Sequence, residues 1–181
     1  MNLQAITDPF YAFLIFLAAA ALDVLCAGVW LPVYYRFGIP LYSRRRRLND
    51  LAGSEIETSR LAAALSERFR ARPEHPSILF KALSEREIAA REKLFENRGG
   101  IRYLPVVHSL IRLHPERESV TVTGYINAYV LVALVYAAYR STQETSFIPV
   151  ALLILVVLGL SYAAQAGLNH HILDQITLDP P

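Results

Sequence analysis

A single cysteine, Cys26, among 181 residues excludes an intrachain disulfide framework, and eight glycines with ten prolines exclude collagen-like and low-complexity composition. No Lys or Arg precedes Arg36, so the basic n-region of a secretory signal peptide is missing, and Leu25 stands before Cys26 where a lipoprotein signal needs a small residue. The chain has no glycine-rich phosphate loop, no GxSxG elbow, no HExxH and no CxxC. Ser109 lies beside His108, but neighbours on a strand point to opposite faces and cannot easily form a catalytic pair. No catalytic residue and no cofactor is expected.

What the chain has is apolar residues, 54% hydrophobic against 19% charged, with a mean hydropathy of +0.30. Its net charge of +2 conceals a strong segregation. Of 18 basic residues, 17 lie between Arg36 and Arg117, and residues 36–118 hold 17 basic against 11 acidic residues, a net +6. A charged middle separates two apolar ends.

Phe10 to Leu31 is 22 residues with one charge, about 33 Å as a helix, enough to cross a bilayer as an uncleaved span. Tyr125 to Tyr139 is a shorter apolar run with tyrosines at its ends, and Phe147 to Ala166 gives 20 residues without a charge. The polar connection Arg140 to Ser146 predicts that the last two helices pack as an antiparallel hairpin. The expected fold class is an α-helical membrane protein with three transmembrane helices, one N-terminal and two in a C-terminal helical hairpin, around a small α+β cytoplasmic domain containing a β-hairpin. Its boundaries are a short external segment 1–9, helix 10–35, a basic domain 36–123, helix 124–140, an external loop 141–146, helix 147–168 and a cytoplasmic tail 169–181. Arg36 and the run Arg44, Arg45, Arg46 and Arg47 follow the first span, which orients the N-terminus outside and the C-terminus inside. Sixteen Arg to two Lys and the simple topology suggest a bacterial inner membrane.

Within the middle, Ser54-Glu-Ile-Glu57 resembles a capping box, and Leu61, Leu65 and Phe69 recur at helical spacing. Ile78-Leu-Phe80 reads as a short strand. Residues 84–96 are ambiguous: a second box-like sequence from Ser84 and the Glu87/Arg91 pair favour helix, whereas Ile88, Ala90 and Leu94 also fit a strand. After the turn signal Asn97 to Gly100, Tyr103 to Leu113 and Val120 to Thr123 predict a β-hairpin about His114 to Glu118.

Asp23 is an acidic residue deep in a span, where a carboxylate needs a partner or a function; Asn127, Ser161 and Gln165 are the candidate intramembrane partners. Gly159, Ala163 and Gly167 recur every four residues, a pattern that lets helices approach closely, either within the chain or between copies. Arg44 to Arg47 form a basic collar suited to anionic lipid headgroups, or simply a topogenic stop. His170, His171 and Asp174 have two-ligand spacing on a helix but do not complete a metal site. The +6 middle is not extreme enough to predict nucleic-acid binding.

The function expected is that of a non-catalytic interaction or assembly component, using the bilayer and either an unknown protein partner or a homo-oligomer. The alternative is a subunit of a small oligomeric transporter or channel using Asp23, and the third is a membrane-bound enzyme.

Overall fold

The computed structural model describes residues 9–47, 57–70, 78–92 and 107–178 of the chain. It combines helices with one five-stranded antiparallel sheet. Helix α1 (Pro9–Gly28) is an Ala- and Leu-rich run with proline at its first position, where no intrahelical N–H is required. It ends in a double hydrogen-bonded cap: the Leu31 amide donates to the Cys26 carbonyl and the Trp30 amide to that of Ala27. Trp30 occupies the left-handed position of that cap, at φ 59°, where glycine is usual. A short helix α2 (Pro32–Arg36) follows, and then strand β1 (Pro40–Arg47).

Helix α3 (Thr58–Arg70) leads into β2 (Ile78–Ser84), β3 (Glu87–Glu92), β4 (His108–His114) and β5 (Ser119–Tyr125). The sheet order is β1-β5-β4-β3-β2, so β2 to β5 form a meander and β1 is an edge. Arg112 stands opposite Thr121 in β4–β5, across a tight turn at Pro115–Arg117. Ser54 to Ile56, Leu94, the turn at Asn97 to Gly100 and Tyr103 to Val106 lie outside the described residues.

Two parts of the expected organisation are changed or decided by the structure. Residues Glu87–Glu92 form a strand, because both faces of that segment are covered. Ile88 and Ala90 join the main core, Ala89 packs on the opposite face, and all three are fully buried. Glu87 accordingly pairs across strands with Arg112, and with Arg36, instead of with Arg91 along a helix.

The second concerns the apolar helices. Among the described residues two are long and apolar enough to cross a membrane by length and composition, Pro9–Gly28 and Thr145–Ile176, where three spans were expected. Helix α4 (Ala128–Gln143) has 16 residues, about 24 Å against roughly 30 Å of hydrocarbon. It packs along α1. An apolar cleft of about 230 Å³ between α1, α4 and the last helix is lined by Phe13, Phe16, Ala133 and Tyr136 among others.

Helix α5 (Ile148–Leu178) runs 31 residues, about 46 Å, without a break. The expected tail after residue 168 is therefore a continuation of the same helix. Its Leu168, Ile172, Leu173 and Ile176 are buried in one core with Leu61, Leu65 and Phe69 of α3 and with Val120 and Val122 of β5. Alternation along the strands sends one set of side chains to this helical face of the sheet and the other set to the face under α2.

Candidate functional site

The polar residues of the apolar helices meet where those helices join the sheet. Asn127 precedes α4 in an extended conformation, as an N-cap residue does, yet its side chain makes no capping bond. Instead its amide nitrogen donates to the Tyr34 hydroxyl at 3.4 Å, and its side-chain oxygen accepts from the Tyr162 hydroxyl at 3.4 Å. The vacant capping role is filled by another helix. Asp23 of α1 accepts the Tyr129 amide at 3.1 Å, in the first turn of α4, and the Tyr34 hydroxyl and Ala128 amide also reach its carboxylate. A carboxylate at a helix N-terminus meets unpaired N–H groups and the positive end of the helix dipole. Asp23 is 3% exposed, so its carboxyl oxygens are satisfied by these donors and not by bulk water.

Beside this cluster α2 lies over the sheet. His108 of β4 stacks flat on the Tyr34 ring, with centroids 4.0 Å apart, and Tyr35 and Tyr125 enclose it. Its Nε2 bonds the Tyr34 carbonyl at 2.9 Å; a carbonyl only accepts, so Nε2 carries the proton. Trp30 stacks on Tyr35 and lies under the Arg91 guanidinium, 4.7 Å from its ring centre. These contacts offset the strain of the left-handed Trp30 backbone. Burial raises the Tyr35 hydroxyl well above the ordinary tyrosine range.

Burial pushes His108 from an ordinary 6.5 down to about 4. Between those values the unfolded chain binds a proton that the folded chain refuses, so stability is complete above about pH 6.5 and falls as pH drops towards 4. The expected loss over that window is roughly 3 kcal/mol. His108→Gln keeps an amide donor for the Tyr34 carbonyl without a titrating group. Denaturant midpoints between pH 7 and 4.5 should fall more steeply for the native chain than for this variant, and parallel profiles would remove His108 as their cause.

The remaining candidates are dispersed. Gly159, Ala163 and Gly167 lie on an exposed stripe of α5, and a Cβ added at either glycine meets nothing within 4 Å, so the stripe is not an internal packing seam. Gln165 is buried. His170 is exposed and lies 3.7 Å from Asp174, while His171 turns edge-on to Phe69, so the two histidines diverge. Among the described residues no group of three or more His, Cys, Asp or Glu is placed to hold a metal.

The arginine run, Arg44 to Arg47, is the second half of β1. Arg45 donates to the Ser119 hydroxyl at 2.8 and 2.9 Å, and Arg46 pairs with Asp174. The side chains of Arg44 and Arg47 are exposed and make no hydrogen bond or ion pair among the described residues. Tyr42 stands opposite Gly124 in the β1–β5 register and lays its ring against that glycine, where an added Cβ would meet the ring at 2.7 Å. Compared with known proteins, the chain matches no family, no curated relative and no solved structure.

Proposed function

We propose that the protein is an integral membrane component that holds a basic partner-binding sheet against the cytoplasmic side of a bacterial inner membrane and catalyses no reaction. The observation that carries this reading is the continuity of α5, whose first half exposes Leu152, Leu153, Leu155, Val156, Val157 and Leu160 while its second half is buried in the sheet domain. Exposed large apolar side chains around a helix are costly in water and favourable in lipid. Both α1 and α5 reach the sheet by their C-terminal ends, so if both cross, the chain can return to the far side only through α4. In this reading α4 is a short third span accommodated by local thinning of the bilayer. The basic bias of residues 36–117 then puts the sheet in the cytoplasm. The capping contact of Asp23 supplies a structural use for a residue that a channel would need free.

Single cysteines in a Cys26→Ser background test this arrangement. Ser146→Cys, in the turn before α5, should react with an impermeant maleimide outside intact cells, and Glu118→Cys, in the β4–β5 turn, only after lysis. The reverse pattern, or release of the protein by alkaline carbonate, would overturn the proposal.

A further inference from the structure

We infer that the outer edge of β1 receives an acidic, extended segment of another protein as a sixth strand. This rests on the reading of the chain as an interaction component and names the surface and the chemistry of its partner. The two edges of the sheet differ. β2 is packed against α3 and alternates buried and accessible residues, whereas every residue of β1 but Tyr42 is exposed, and among the described residues nothing pairs with its outer side. An uncovered strand edge carries unpaired N–H and C=O groups that template another strand. The register is irregular between Pro40 and Tyr42, so the regular part is Tyr42 to Arg47, about 20 Å of ladder.

Four consecutive arginines on that ladder decide what can dock. The ordinary role of edge cations is to forbid pairing, and they do so selectively. A second copy of this chain would bring two arginine runs together and is rejected by charge, and an apolar strand would desolvate them without compensation. An acidic strand satisfies both the edge amides and the cations. Arg45 and Arg46 already have internal partners, on opposite sides of the strand, which fixes their positions; Arg44 and Arg47 remain exposed for carboxylates. Anionic lipid is the less favoured occupant. Arg46 is level with Asp174, eight residues or about 12 Å beyond Ala166 at the end of the apolar run, outside a headgroup layer of roughly 5–8 Å.

The full chain in phosphatidylcholine nanodiscs can be titrated with a fluorescein-labelled ten-residue peptide of repeating Glu-Glu-Thr. A second version carries N-methyl groups on every amide, which retains the charge and removes the strand-forming donors. Binding of the first peptide, weakened about tenfold by N-methylation and about tenfold by Arg44→Glu with Arg47→Glu, is expected. The Arg44→Lys, Arg47→Lys pair should retain most of the affinity and shows that the substituted edge still folds. Equal binding of the two peptides would reduce the site to unspecific charge, and no binding of either would remove it. Phosphatidylserine vesicles captured through Arg44 and Arg47 by a chain that ignores the peptide would assign the edge to a membrane surface and overturn the inference. Each of these failures leaves the membrane-component reading intact, whereas failure of the maleimide pattern would strike that reading and not the edge.

Discussion

Ile172→Ala is expected to lower the stability of the sheet domain by about 2–5 kcal/mol, the cost of emptying a fully buried aliphatic site. Ile172 is inaccessible and lies between α3 and β5, together with Leu168, Leu173 and Ile176. For a domain of this size the loss approaches the whole margin of stability, commonly about 5–15 kcal/mol. Trp30, the sole tryptophan, is a built-in reporter because it is docked on the opposite face through Tyr35 and Arg91. Its fluorescence during urea titration in detergent should show a clear fall in midpoint. His170→Ala, two positions away but exposed, should change stability by less than about 0.5 kcal/mol. Equal midpoints for the two variants would mean that the end of α5 does not belong to the core.

The second large effect concerns Asp23. Asp23→Leu removes the oxygen that accepts the part-buried Tyr129 amide and takes the carboxylate from the α4 terminus, a loss of about 1–3 kcal/mol. Asp23→Asn keeps an oxygen for that amide and should lose well under half as much. A proton-carrying residue gives no such ordering in function, since Asn is then as disabling as Leu. Thermal melts of the three proteins in the same detergent, read beside any transport measurement in liposomes, separate the two roles. Equal melting of all three would dismiss the cap.

Much of the fold was legible where one physical signal dominates. Leu61, Leu65 and Phe69 marked α3 because an amphipathic helix on a sheet buries one stripe, and all three are buried. The apolar runs of α1 and α5 were legible from length and the scarcity of charge. Signals failed where burial is two-sided or pairing is by backbone alone. In β3 alternation is erased because Ala89 packs on one face and Ile88 and Ala90 on the other, leaving the misleading Glu87/Arg91 spacing as the visible cue. In β1 the strand is held by β5, and a run of arginines has no periodicity to reveal it. The end of α5 was hidden by Asn169, His170 and His171, although Leu168, Ile172, Leu173 and Ile176 already carry the spacing of a core stripe.

The site shows the same division. Asp23 announces from sequence that it needs a partner, and the side chains of Asn127, Ser161 and Gln165 are the partners that the sequence offers. The group found is a backbone amide two residues beyond Asn127, which has no residue-type signature. Trp30, Tyr34 and Tyr35 stand at or just after the end of the first apolar run, and the structure uses them to clamp His108 and Arg91. Nothing in the local sequence links residues 30–35 to position 108; only the pairing of β4 with its neighbours brings them together.

One unbroken helix from Ile148 to Leu178 also has a mechanical consequence. No hinge separates its exposed apolar half from its sheet-bound half, so the sheet must follow the helix as a lever follows its shaft. In the proposed membrane arrangement, a change in bilayer thickness that tilts or slides α5 is transmitted as a rotation or lift of the whole sheet, at about 1.5 Å per residue displaced. The height of the β1 edge above the lipid would then be set by the membrane itself.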